Sequence, residues 1–175
     1  APNPEARVKG EKYTDIYTEG PWFYRRGDNY YLLYAAGGVP EHIAYSMSDS
    51  PAGPWRYVGE IMPLQDTGSF TNHCGVIDYK GNSYFFYHTG KLPGGGGFGR
   101  SVAVEQFRYN DDGTFPIINA TAEGVAPIGT LDPYRRVEAE TIAFSSGVKS
   151  EPNAKTGVYV SETHDGDWIK VREVD

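Results

Sequence analysis

Residues 18–37, TEGPWFYRRGDNYYLLYAAG, and residues 71–90, TNHCGVIDYKGNSYFFYHTG, are two copies of one pattern. Laid over each other at a constant offset of 53 residues, they match at Thr18/Thr71, Asn29/Asn82, Tyr31/Tyr84, Tyr34/Tyr87 and Gly37/Gly90 without a gap. Each copy reads as a β-hairpin. Aromatic and apolar runs at 22–24 and 30–35 flank Gly27-Asp28-Asn29, and runs at 76–79 and 83–88 flank Lys80-Gly81-Asn82. A repeat with a period near 50 residues is a signature of propeller blades.

Working outward, each hairpin is followed by a second. Residues 42–48 alternate, 49–54 carry turn chemistry and 55–61 alternate again; 101–107, 110–113 and 115–119 repeat the scheme. The reading is an all-β protein with two antiparallel blades of four short strands each. No segment sustains a 3.6-residue apolar period over three turns, so no helix is expected. Propellers close with about four to eight blades, so two blades form only part of a ring. The composition changes after residue 120. Residues 124–133 read as a linker or closing segment, and Arg136-Val137-Glu138-Ala139-Glu140 opens a stretch unrelated to the repeat. This organises the chain as a partial propeller, 1–135, and a short β tail, 136–175, whose last residues read as mid-strand. About 40 residues give a thin core.

The 175 residues carry 16 Lys and Arg against 23 Asp and Glu, a net charge of −7. Such a balance repels phosphate backbones and argues against nucleic acid as partner. The 14 tyrosines exclude a disordered chain. Cys74 is the single cysteine, so neither an internal disulfide nor a cysteine-based zinc site can form. No apolar run approaches the roughly 18 residues of a membrane helix, and the opening Ala1-Pro2-Asn3-Pro4-Glu5 does not read as a signal peptide.

Three motifs point away from their usual chemistry. Residues 94–101, GGGGFGRS, formally fit a dinucleotide fingerprint and nearly fit a phosphate loop. Both need a helix immediately afterwards, and residues 101–107 alternate as a strand. The glycines then read as a loop permitting close backbone approach. Cys74 beside His73 lacks a base and reads as a packed small hydrophobe. Asn119-Ala120-Thr121 is a formal glycosylation acceptor, relevant only in a eukaryotic secretory setting.

Glu19 and His73 fall one residue apart in the register of the repeat, each just before the first strand of its unit. The innermost strand of a propeller blade lines the central channel, so these positions converge on the axis. On spacing alone, a solvated turn carboxylate at Glu19 and a hydrogen-bonded interior histidine at His73 are the commoner readings.

Residues 18–24 (TEGPWFY), 30–35 and 46–55 (SMSDSPAGPW) resemble glycoside hydrolase family 43, as do Asn72-His73, residues 84–88 (YFFYH) and Arg100-Ser101-Val102. The resemblance covers about residues 5–130. It implies a five-bladed β-propeller and the activities of β-xylosidases, α-L-arabinofuranosidases and arabinanases. It also implies an inverting mechanism, in which one carboxylic acid protonates the leaving oxygen while a carboxylate activates water on the opposite face. By resemblance Glu19 is the general acid, with its pKa raised by a nearby negative charge. His73 is the axial histidine that contacts substrate and a central calcium or its waters, and Arg100 holds sugar hydroxyls or the acid. Trp22 is expected to stack on substrate, although blade packing is the commoner use of such rings. No organic cofactor is implied. The base and tuning aspartates belong to two blades that would precede this chain; Asp28, Asp49, Asp111 and Asp112 read as turn residues, and Asp15 is the only improvised candidate. The tail, with Glu138-Ala139-Glu140 and Asp165-Gly166-Asp167-Trp168, resembles the start of a family 6 carbohydrate-binding module, a β-sandwich. The expected role is therefore part of a hemicellulose-degrading glycosidase acting on xylan or arabinoxylan oligosaccharides. Another chain or copy would complete the ring, and the family implies a secreted or periplasmic setting. The alternatives are a non-catalytic carbohydrate-binding propeller, a calcium-stabilised structural propeller or an inactive fragment.

Overall fold

The computed structural model describes residues 17–140 and 142–175. Among them there are eleven strands and no helix. Asp15 lies outside the described residues. The described residues divide into two compact units, the first ending at Val125 and the second starting at Ala126; the division drawn from the sequence, at 135/136, lies ten residues later.

The first unit holds two sheets. The first is four-stranded and antiparallel in the order β1 (Tyr17–Arg26), β2 (Asn29–Ala36), β3 (His42–Ser48), β4 (Arg56–Met62). The second has three strands, β5 (Cys74–Tyr79), β6 (Asn82–Thr89) and β7 (Ser101–Phe107), paired in that order. These are blades of a partial propeller. The hairpin turns contain two residues rather than three, because Arg26 pairs with Asn29 and Tyr79 with Asn82. Gly27 has φ +60 at the first central position, while Lys80 (φ +48) and Gly81 (φ +82) are both left-handed. The two copies thus use two different primed turns, both matched to the right-handed twist of their strands.

The expected fourth strand of the second blade, residues 115–119, is not a strand. Pro116 has no N–H for a ladder, and two of the remaining donors are taken elsewhere. Phe115 N–H donates to the Tyr45 hydroxyl (3.1 Å), and Ile118 N–H donates to the Ile61 carbonyl of β4 (2.7 Å). The segment crosses back as a strap over the first sheet. Its Phe115 ring meets Tyr31 and Tyr45 edge-on at 6.0 and 5.0 Å and stacks on Phe107 at 5.1 Å.

The core lies between the two sheets under this strap. Leu33, Ile43, Tyr45 and Ile61 of the first sheet meet Val76, Phe85 and Tyr87 of the second, with Tyr109, Phe115 and Ile118 closing it. Every residue of β3 is buried, as expected of an interior strand covered on both faces. The tyrosines bury their rings and satisfy their hydroxyls: Tyr31 donates to Gly113 O (2.9 Å), Tyr24 bonds Tyr109 (2.7 Å) and Tyr87 donates to Glu105 (3.0 Å).

The second unit contains two antiparallel ribbons. β9 (Lys149–Asn153) pairs with β10 (Gly157–Ser161), and β8 (Phe144–Ser146) pairs with β11 (Trp168–Lys170). Its strands are largely exposed, in keeping with the thin core read from its length.

Candidate active site

Glu19 occupies the most irregular stretch of β1. The β1–β2 register slips between Tyr17 and Glu19 and again between Glu19 and Trp22, so bulges bracket the residue on both sides. Bulges re-aim side chains. Gly20 follows with φ +61, a conformation that favours glycine, and Pro21 contributes no N–H. The face of Gly20 is also occupied: a Cβ there would stand 2.6 Å from two ring carbons of His73. Glu19-Gly20-Pro21 is therefore a backbone device that lets an imidazole lie directly on the chain beside the carboxylate.

His73 immediately precedes β5, and its Nε2 lies 3.0 Å from Glu19 Oε1. The two residues, 54 positions apart and one residue out of register in the repeat, thus meet in space. His73 N–H donates to His88 Nδ1 (3.2 Å), and the two imidazoles stack at 5.2 Å. His88 must therefore be unprotonated at Nδ1. Burial, then the charges of His73 and Arg100, push its pKa down, in the same sense. Arg100 donates from Nη1 to the Thr71 hydroxyl (2.9 Å), two residues before His73. Trp22 lies elsewhere: its indole covers Gly75 of β5, 3.7 Å from where a Cβ would be, while about two-fifths of the residue stays exposed.

Sequence reasoning missed Glu41. It follows Pro40 in the β2–β3 connection, outside the repeated stretches, so register could not point to it. Its side chain is buried, and Oε2 accepts the N–H of Asn72 (2.8 Å). Asn72 is buried as well and accepts the His88 N–H through Oδ1 (3.0 Å). Burial raises the Glu41 pKa, with the Asn72 N–H opposing and the Glu19 charge adding to the rise. The hydrogen bond with His73 holds the Glu19 carboxyl below its usual range; slight desolvation opposes it, and the His73 and Arg100 charges assist. Within this chain the shift is opposite to the one expected of a general acid. The cause is the half-exposed Glu19 side chain facing an imidazole and a guanidinium.

Glu19, Glu41 and His73 each place a polar atom within 4.8 Å of the others. That separation leaves no room for the water that an inverting base activates across roughly 6.5–9.5 Å. Glu41, buried and bonded to Asn72, is not that base. Asp28, Asp49, Asp111 and Asp112 are turn or bend residues, as read from the sequence. Calcium takes six to eight oxygens, whereas this group offers two carboxylates and an imidazole nitrogen already bonded to Glu19. Direct ligation of calcium by His73 does not fit this donor set. Burial pushes the Cys74 thiol well up, which makes it a poor nucleophile. Residues 101–107 form β7, so the glycine loop has no helix to hold a phosphate.

Glu19 and His73 thus bring a carboxylate and an imidazole together between two blades of a partial propeller. The sequence profile of Glycosyl hydrolases family 43 matches residues 3–115, and the chain belongs to that family. It is 32% identical over 179 aligned residues to an arabinoxylan arabinofuranohydrolase of Paenibacillus polymyxa, covering 90% of this chain and 28% of that protein. A crystal structure of the arabinoxylan arabinofuranohydrolase of Bacillus subtilis with cellotetraose superposes with a TM-score of 0.64 and 29% identity. It covers 87% of this chain and 36% of that one. A compost-metagenome β-xylosidase/α-arabinofuranosidase, solved with xylotriose in a calcium-free form, gives a TM-score of 0.54 and 33% identity over 59% of this chain and 30% of that one. The chain thus spans about a third of the length of these relatives.

Proposed function

We propose that this chain is part of an inverting glycoside hydrolase that removes xylose or arabinofuranose units from xylan or arabinoxylan, with Glu19 as general acid. The observation that carries this reading is the presentation of Glu19 between two bulges, on Gly20, against His73. In this role Glu19 delivers its proton to the leaving glycosidic oxygen, His73 fixes its orientation and Arg100 supplies a fork of donors for sugar hydroxyls. The carboxylate that activates water comes from outside this chain, from preceding blades or another copy, and its negative charge reverses the downward pKa shift of Glu19. His73 contacts a hydrated calcium through water rather than directly. The tail is the start of a family 6 carbohydrate-binding module. A polymeric substrate that cannot cross a membrane puts the enzyme in a secreted or periplasmic setting.

The test is hydrolysis of aryl β-xyloside and aryl α-L-arabinofuranoside by the purified chain beside its Glu19→Gln variant. Turnover is expected to fall about a hundredfold or more in the variant. Equal turnover by both removes Glu19 from the mechanism. If the isolated chain is inert, the same pair is compared in the assembly that supplies the base.

A further inference from the structure

The glycine run at 94–99 is a motif that the site leaves unused. Its loop is zipped backbone to backbone onto residues 67–70. Phe70 N–H donates to Gly97 O (2.9 Å), Gly97 N–H to Gly68 O (2.8 Å) and Gly90 N–H to Thr67 O (2.8 Å). Two positions of this zipper have no room for a side chain: a Cβ on Gly90 would stand 2.8 Å from Gly96 N, and one on Gly95 2.6 Å from Gly90 O. Gly97, at φ +58, lies against the Phe70 ring. The loop holds Phe70 and Phe98 edge to face, with centroids 5.5 Å apart, yet the residues are 49% and 66% exposed. Two large rings are thus fixed in place and left open to solvent.

Their position ties them to the site. Phe70 stands three residues before His73 and Phe98 two before Arg100. The two segments are clamped by Arg100 on Thr71 (2.9 Å), and Phe70 O accepts the N–H of Glu41 (3.1 Å). Two rings are too small a patch for a stable protein interface, which buries more than about 1,000 Å². The acidic chain also disfavours a polyanion. A neutral pyranose suits the patch: its C–H face buries apolar area on an aromatic ring while its hydroxyls stay in water.

We propose that the Phe70–Phe98 pair, carried on the zipped glycine loop beside Arg100, is a platform that stacks on a xylose ring of the xylan main chain. This deepens the glycosidase reading by giving the site a second contact with the polymer. The test is an NMR titration of the full chain with xylohexaose, comparing wild type, Phe98→Ala, Phe98→Tyr and Phe70→Ala, each checked for fold by circular dichroism. Phe98→Ala is expected to raise Kd at least about fivefold, and Phe98→Tyr to restore binding. Wild-type chain that does not bind xylohexaose, or Phe98→Ala binding like wild type, overturns the platform. So does a Phe98→Ala effect on sedimentation without one on sugar, which would assign the rings to a second copy. Turnover lost in Glu19→Gln alongside Phe98-independent binding sinks the platform alone. Phe98-dependent binding with Glu19-independent turnover sinks the acid assignment alone.

Discussion

Gly20 is a single residue under two constraints, a positive φ and an imidazole against its Cα. Gly20→Ala strains the backbone and displaces the His73 ring. The expected result is a loss of about 1–3 kcal/mol, measured by urea unfolding, together with a changed His73 ring environment in NMR spectra; an unshifted His73 signal would contradict it. Glu41 makes a prediction in pH. Its pKa is raised in the folded chain, so the stability it contributes is present below its ordinary value near 4.5 and is lost as pH rises through the folded value. Glu19 works oppositely, its contribution being lost as pH falls below about 4.5. Between pH 4.5 and 7, Glu41→Gln should therefore unfold with a flatter pH dependence than wild type; parallel curves in urea would refute this. Glu19 and His73 were legible in the sequence because they fall one residue apart in the register of the repeat. Glu41 was not, because burial of a carboxylate against Asn72 is a tertiary fact without a local pattern.

Among the elements, seven strands of the first unit follow from alternation and turn residues, as the pairings of Tyr31 with Met47 and of Tyr84 with Gln106 show. The eighth fails at 115–119, where alternation was present but the donors were claimed by Tyr45 and Ile61. Periodicity marks which residues are buried; it does not identify the neighbour that buries them. Glu105 of β7 shows the same kind of long-range claim. It is buried and accepts from the Tyr87 hydroxyl (3.0 Å), Thr121 N–H (2.7 Å) and the Thr121 hydroxyl (3.0 Å). Glu105→Ala strands these donors and should cost about 2–4 kcal/mol, with Glu105→Gln costing less. Thermal unfolding of the two variants checks the order, and equal midpoints would show that water replaces the carboxylate.

For the whole molecule, the two faces of the second sheet differ. Val76, Phe85 and Tyr87 turn into the core, while Ile77, Phe86 and Val102 on the opposite face are exposed. β1 adds exposed Trp22 and Phe23, and β1, β5 and β7 are edge strands among the described residues. Open edges and apolar faces drive pairing with other chains. Sedimentation is expected to show concentration-dependent association, and a monomer at high concentration would argue against it. The strap at 113–118 has a consequence for how the chain is made. Tyr31, Tyr45 and Ile61 belong to the first sheet, but the residues that cover them emerge some seventy positions later. During synthesis the first sheet must wait, incompletely covered, until the chain has grown past Ile118. The two blades therefore mature together rather than in turn, and the interval before the strap arrives is when a nascent chain is most open to misassembly.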